Sequence, residues 1–202
     1  MTTGIAPMQK LAHSDLLTLE QYAKARNDFR ARVMAHKKDR QVAVGPSATL
    51  YFEDRVTMQY QIQEMLRAER IFEEQGIQDE LDVYNPMIPD GGNWKATFMI
   101  EIPEVEARRK ALAQMKGIEQ KVWVQVADFA RVYAVADEDM ERDNEEKTSS
   151  VHFLRFELGA PMTSAIKQGA SIAMGIDHPA YRHQIDAVDD GVRNSLANDL
   201  GG

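Results

Sequence analysis

The densest mixture of acidic, basic and amide side chains lies in the run 56–75, VTMQYQIQEMLRAERIFEEQ. Residues of this run recur at spacings of 4, 3, 4 and 3, which is typical of one stripe of an α-helix. The stripe consists of Met58, Ile62, Met65, Glu69 and Phe72. Its apolar members predict burial, and a lone buried carboxylate is costly, so Glu69 must be protonated, paired or reached by water. Glu64 flanks the stripe. The predicted solvent face carries Gln59, Gln63, Arg67, Arg70 and Glu74.

Three interpretations of Glu69 are open. In the first, an arginine neutralises it and locks the helix to a sheet. Arg155, inside the predicted strand VHFLRFEL, is the natural partner, with Arg55 and Arg131 as others. In the second, Glu69 and Glu64 line a cleft as metal ligands or proton acceptors. In the third, Glu69 lies on the surface.

A second group of reactive side chains is the run 177–181, DHPAY, which follows directly after a predicted strand. Sites often form where a chain leaves a sheet, because the sheet fixes the position and the loop leaves room. Asp177, His178 and Tyr181 would supply a base, a proton carrier and a hydroxyl. The alternative is a turn whose side chains bond to the local backbone. His178 and His183 are too loosely spaced to indicate a metal.

Many catalytic signatures are absent from the sequence. It contains no glycine-rich phosphate loop, no G-x-S-x-G and no H-E-x-x-H. It also lacks the Glu-x-x-His pair of ferritin-like di-iron proteins, and its zero cysteines exclude thiol catalysis and Cys-ligated clusters. We therefore predict no cofactor and no confident metal site, and the balance favours a non-catalytic protein.

Composition sets further bounds on function. The 202 residues carry a net charge of −8, which argues against a general nucleic-acid binder. No apolar run approaches the roughly 20 residues that cross a bilayer, so no membrane partner is expected. The N-terminus lacks the apolar core of a signal peptide, and a cytoplasmic location is the expectation.

The order of elements predicts an α+β fold with a mostly antiparallel sheet. Two long amphipathic helices, about 19–37 and 56–75, are predicted to cover the sheet. Thr18 and Gln21 form a capping box for the first helix, and the run 94–102 is the clearest strand. We predict a flexible N-terminus over 1–14 and a single domain over 15–200.

Two charged segments have open interpretations. Basic residues crowd the end of the first helix, where cations complement the helix dipole or could meet an anionic partner. They are Arg30, Arg32, Lys37, Lys38 and Arg40. The run 137–147, DEDMERDNEEK, reads as a solvated loop or as a docking segment for a basic partner.

The chain resembles an uncharacterised prokaryotic family of unknown function. The resemblance is carried by VAVGPSATLYFEDRVTMQYQIQEMLRAERIFEE, ELDVYNPMIP, SSVHFLRF and IDHPAY, and it covers about residues 15–200. Its most distinctive phrase is QIQEMLRAERI at 61–71. The resemblance implies a genomic setting beside a rubrerythrin-like di-iron protein and an iron–sulfur oxidoreductase related to heterodisulfide-reductase subunits. It assigns no role to any residue of this chain.

Three functional hypotheses follow. The favoured one is a non-catalytic accessory or interaction subunit of an iron–sulfur or di-iron redox system, with a protein partner and a possible homodimer. The alternative is a small metal-binding protein or enzyme that combines Glu64 and Glu69 with the run 177–181. The third is a ligand-sensing module, for which the sequence offers only a possible cleft beside the sheet.

Overall fold

A computed structural model describes residues 9–136 and 147–201. The first long helix, α1, spans Leu19–Lys38 and begins at the predicted capping box. The Gln21 backbone N–H donates to Thr18 Oγ1 at 3.2 Å, and the Thr18 N–H donates to Gln21 Oε1 at 3.0 Å. This exchange satisfies two backbone donors that a helix start leaves unpaired.

Nine strands form two antiparallel sheets within the described residues. The five-stranded sheet has the order β1-β2-β3-β7-β6 and the four-stranded sheet the order β5-β4-β8-β9. The strands of the first sheet are β1 (Gln41–Ala43), β2 (Ala48–Glu53), β3 (Asn93–Ile100), β6 (Val135–Ala136) and β7 (Val151–Glu157). Those of the second are β4 (Val122–Val126), β5 (Val132–Tyr133), β8 (Ile172–His178) and β9 (Tyr181–Ile185).

One hydrophobic core contains the inner faces of both sheets. In β3, Trp94, Ala96 and Phe98 are fully buried on this inner face, as the alternation predicts. Strand β5 pairs with β4, whereas β6 pairs with β7 of the other sheet. The chain therefore crosses between the sheets at Ala134.

The second long helix is shorter than predicted. Helix α2 spans Arg55–Glu69, and Arg70 adopts a left-handed backbone with φ of 58°. The Ile71 N–H then bonds to Leu66 O at 2.9 Å, which closes the helix end. A separate helix, α3, spans Glu74–Tyr84, so the prediction that one continuous helix runs over about 56–75 was wrong at its C-terminal end.

The buried stripe of α2 also differs from the prediction. Met58, Ile62 and Leu66 face inward, at spacings of four residues. They form a second hydrophobic cluster with Leu81 of α3 and with Leu11, a buried residue before α1. Of the predicted flexible segment 1–14, residues 9–14 are described; Leu11 is buried and the other five are exposed, and the flexibility of the segment stays a prediction. Residues 1–8 lie outside the described residues, as does the acidic run up to residue 146.

The remaining helices complete the α+β fold. They are α4 (Val105–Gln114), α5 (Ala160–Lys167) and α6 (Asp190–Ala197). Helices α1, α2 and α3 lie over the outer face of the five-stranded sheet, which confirms the predicted fold class and helical cover. Within the described residues, no helix has the length and apolar character needed to cross a membrane.

Candidate functional site

A cleft of about 950 Å³ separates the outer face of the five-stranded sheet from helices α1, α2 and α3. We call it the helix–sheet cleft. Its walls are mostly apolar, with four methionines among the lining side chains. They include Met34, Met58, Met87, Met99, Val151 and Phe153. A concave apolar space with a few polar groups is the usual form of a small-molecule site.

Glu53 is the acidic side chain among the described residues that line the helix–sheet cleft. It is the last residue of β2, and only 7% of it is exposed. Thr97 Oγ1 donates to Glu53 Oε1 at 2.7 Å, and Thr57 Oγ1 donates to Oε2 at 2.6 Å. The sheet and the first turn of α2 therefore hold the carboxylate from two sides.

A buried ionic network lies directly beside Glu53. Asp54 caps α2 by accepting the Thr57 N–H at 2.9 Å, and its other oxygen lies 2.5 Å from His36 Nε2. Arg40, only 2% exposed, contacts Asp54 at 3.4 Å and Asp199 at 2.5 Å. It also donates to the backbone oxygens of Phe52 and Glu53. This network ties α1 and the C-terminal segment to the end of β2.

Burial and charge act in opposite directions on these carboxyl groups. Burial raises the pKa of Asp54, but the His36 hydrogen bond and the Arg40 charge outweigh it, so its pKa falls below the ordinary value. In Asp199, burial dominates the lowering by Arg40 and raises the pKa to about 6. The Arg40 charge thus stabilises the ionised forms of Asp54 and Asp199, which burial in the apolar core disfavours.

Glu64, the first predicted site residue, joins the two long helices. It accepts two hydrogen bonds from Arg26 of α1 and one from the Tyr22 hydroxyl. The Arg26 hydrogen bond is the main reason that the pKa of Glu64 falls to about 2. The ion pair that we expected at Glu69 is therefore present on the same helix, but at Glu64 and towards α1.

Glu69, Arg67 and Arg70 are all exposed. Glu69 is the last residue of α2, and no ion pair within the described part of the chain involves it. Of the three interpretations of Glu69, its exposure agrees with the third, a surface position, because the helix turns its Met58–Leu66 side inward. Gln63, predicted to face solvent, is instead fully buried and bonds to both backbone groups of Leu17.

The arginines proposed as partners of Glu69 have other contacts. Arg55 pairs with Asp15 at 2.8 Å, and Arg131 pairs with Asp177 at 2.7 Å. Arg155 lies half-buried on the outer sheet face and pairs with Glu157. Arg155 does not line the helix–sheet cleft.

Asp177, His178 and Tyr181 belong to the β8–β9 hairpin, whose turn is Pro179-Ala180. Asp177 accepts hydrogen bonds from Arg131 and from the Tyr133 hydroxyl. Burial raises its pKa, but these two partners lower it below the ordinary value. Arg131 also stacks on Trp123, 3.8 Å from the ring centroid, so Asp177 completes a local surface cluster.

His178 and Tyr181 are buried on the other face of the hairpin and bond to the backbone. His178 Nδ1 accepts the Ala180 N–H at 3.2 Å, so its Nε2 is the nitrogen that donates to Lys116 O at 3.0 Å. The Tyr181 hydroxyl donates to Val44 O at 2.8 Å and accepts the Ser47 N–H at 3.0 Å. Only the bond between Ala180 and His178 lies within the turn; the others tie the hairpin to the distant backbone at Lys116, Val44 and Ser47.

The structure does not bring the two predicted groups together. The described bonds of Glu64 lead to α1, whereas those of Asp177 and His178 stay around the four-stranded sheet. In the described ranges, no group of three or more His, Asp or Glu side chains could hold a metal ion. Whether any of these residues binds a ligand stays a prediction.

Comparison with protein families matches residues 10–200 to DUF3501, a protein family of unknown function. The chain belongs to the DUF3501 family. It is similar to a crystal structure of a novel protein of unknown function from Burkholderia pseudomallei, with 54% sequence identity and a TM-score of 0.91. The match covers 96% of this chain and 100% of that chain. A search of curated proteins found no match.

In this DUF3501 chain, sequence reasoning missed Glu53. The run TLYFE places Tyr51 and Glu53 on the polar side of an alternating strand, which ordinarily faces water. The available signal was the pair of adjacent acids, Glu53 and Asp54. Asp54 caps α2, and Glu53 is therefore the acid that remains on the sheet, at the end of β2 and on the face that the helices cover.

Proposed function

We propose that this protein binds a small, largely apolar molecule in the helix–sheet cleft. The observation that carries the proposal is the combination of volume and lining. About 950 Å³ lies near the upper end of the roughly 300–1,000 Å³ typical of ligand sites. Methionine side chains on the walls adapt to ligands of different shape.

Rigid secondary-structure elements form both the floor and the roof of the helix–sheet cleft. Its floor is a sheet whose other face belongs to the main core, and its roof is held by the Arg26–Glu64 pair between α1 and α2. Side chains on rigid elements hold a ligand more precisely than side chains on loops. This arrangement supports ligand binding, which the third of the sequence hypotheses, a ligand-sensing module, requires.

Titration with the polarity-sensitive dye Nile red tests the proposal. Saturable binding with a blue-shifted emission is expected for the wild-type protein. Val83 and Val105 form a matched pair, because both are helical valines exposed by 63% and 60%, but only Val83 lines the cleft. Val83→Trp should weaken dye binding by about tenfold or more, a change of about 1.4 kcal/mol, whereas Val105→Trp should leave it unchanged. Wild-type protein that shows no saturable binding, or equal effects of both variants, would contradict the proposal.

A second candidate function is the accessory role in an iron–sulfur or di-iron redox system. It is supported by the resemblance and by Phe72, which is 74% exposed directly after the distinctive run 61–71. An exposed phenylalanine is the residue type that protein interfaces use as an anchor. The partners, the homodimer and the cytoplasmic location stay predictions.

Binding to purified candidate partners tests this second role. The rubrerythrin-like protein and the iron–sulfur oxidoreductase from the same genome would be mixed with wild-type protein and with Phe72→Ser. Co-elution that Phe72→Ser abolishes is expected. Separate elution of the wild-type protein and both partners, under oxidised and reduced conditions, would overturn the role.

A further inference from the structure

Among the described residues, the carboxylate of Glu53 has hydrogen-bond donors but no ion-pair partner. In the part of the chain that the structure describes, no ion pair reaches it. The nearby cations are engaged elsewhere, among them Lys95, the cross-strand neighbour of Glu53, which donates to Pro86 O. Arg40 reaches only the backbone oxygen of Glu53 and pairs with Asp54 and Asp199, and His36 contacts Asp54.

The hydroxyl pattern indicates an ionised carboxylate. Thr57 Oγ1 accepts the Asp54 N–H at 2.9 Å, and its own proton has two acceptors in reach, Glu53 Oε2 at 2.6 Å and Asp54 O at 3.1 Å, of which Glu53 is the nearer. Thr97 Oγ1 donates to the other carboxylate oxygen. An acid that accepts on both oxygens is in its acceptor-only form. A buried negative charge without a cation is costly, so a site that retains one is built for a positive partner.

We propose that the helix–sheet cleft takes an organic amine, with its ammonium group on Glu53 and its apolar body against the methionine-lined walls. This inference rests on the proposed function. Tyr51, Tyr84 and Phe153 line the same space, and aromatic faces attract ammonium groups. The cation would thus meet a carboxylate and aromatic rings in the same cleft.

The lysines that line the cleft do not occupy the ammonium position. Lys37 Nζ lies 5.8 Å from the Tyr60 ring centroid, and Lys38 is exposed. Repulsion from an exposed charge is screened by water and salt. The charge of Glu53, which is buried, is screened much less and therefore decides the preference.

Displacement of Nile red by three eight-carbon compounds tests the inference. 1-Octylamine, 1-octanol and octanoate differ in head group and share the alkyl body, and all would be used below their aggregation limits. The wild-type protein should bind 1-octylamine at least about tenfold more tightly than 1-octanol and octanoate. Glu53→Gln should reduce the amine's advantage over the alcohol to about twofold or less.

Glu69→Gln is the matched control, because Glu69 is an exposed carboxylate on α2 that does not line the cleft. It should keep the wild-type preference.

If 1-octanol or octanoate binds the wild-type protein as tightly as the amine, or if Glu53→Gln keeps the amine preference, the inference fails while the proposed ligand site stands. If neither the dye nor any of the three compounds binds folded wild-type protein, the proposed function fails as well. If Glu53→Gln does not fold, Thr97→Val is used instead. This variant removes one hydrogen-bond donor from the Glu53 carboxylate, so the preference for the amine over the alcohol should increase. A smaller preference would overturn the inference.

Discussion

Arg26 of α1 and Glu64 of α2 form a bidentate ion pair, with Nε donating to Oε1 at 2.8 Å and Nη2 donating to Oε2 at 2.7 Å. The Tyr22 hydroxyl donates to the same carboxylate at 2.7 Å. The planar guanidinium matches both oxygens at once, which fixes the relative position of the helices as a single charge would not. The two helices therefore act as one roof over the helix–sheet cleft.

Glu64→Gln should destabilise the protein by about 1 kcal/mol at pH 7, a value discounted for the partial exposure of the pair. The pKa of Glu64 is lowered in the folded protein to about 2. Its contribution is therefore present above its ordinary pKa and is lost as the pH falls from about 4.5 to about 2. Urea unfolding of both proteins at pH 7 and at pH 2.5 measures the difference. Glu20→Gln, which breaks the exposed Glu20–Lys24 pair, is the control and should change little at either pH. An equal loss in both variants would contradict the role of Glu64.

Arg40→Met should destabilise the protein by about 3–5 kcal/mol, because it strands the buried Asp199 charge. Adding Asp199→Asn should recover a large part of the loss, since the stranded charge is then absent. Chemical unfolding of the two single variants and the double variant gives the coupling between the residues. Additive losses would show that Arg40 stabilises the protein independently of Asp199, through its other contacts.

The same pair gives stability a pH dependence. The pKa of Asp199 is raised in the folded protein to about 6, from 3.8. The folded state therefore holds the proton more tightly, and the stability contributed by this group declines as the pH rises from about 4 to about 6. In Arg40→Met the decline should be larger, because no guanidinium offsets the ionised form. Unfolding free energies at pH 4.5 and 7.0 measure it, and an Arg40→Met protein that loses no more between these values than wild type would contradict the assignment.

Tyr181→Phe should destabilise the protein by about 1–3 kcal/mol, because Val44 O and the Ser47 N–H each lose a partner. Tyr133→Phe is the matched control, since its hydroxyl is a donor to Asp177 at the surface and the ring is 45% exposed. The control should lose less than half as much. Thermal unfolding of both variants distinguishes a structural Tyr181 from one whose hydroxyl is dispensable.

Glu69→Gln should leave the melting temperature unchanged, because the side chain is exposed. Gln63→Leu should destabilise the protein by about 1–3 kcal/mol, because the Leu17 N–H and C=O would lose their partners. The two substitutions lie on opposite sides of α2. A large loss in Glu69→Gln with none in Gln63→Leu would mean that the helix face is assigned wrongly.

Local signals in the chain were sufficient for most of the fold. The capping box at Thr18 and Gln21 set the start of α1, and alternation along β3 identified its buried face. These predictions succeed because they depend on neighbouring residues and on the period of one element. The same reasoning failed at the end of α2, where Met65, Glu69 and Phe72 continued the helical spacing but Arg70 adopts a left-handed backbone. Sequence spacing cannot report such a break, since the competing contacts come from α3.

By itself, the sequence determined the α+β class, the antiparallel strands, the two helices that cover the sheet and the family resemblance. The sequence also indicated that an arginine could pair with a glutamate of α2, but the pair forms at Glu64 and not at Glu69. Only the tertiary structure decided that Glu53 is buried in a cleft while Glu69 is exposed. The physical reason is that burial of a polar side chain depends on what packs over it. Helices α1 and α3 cover a strand face that alternation alone assigns to water.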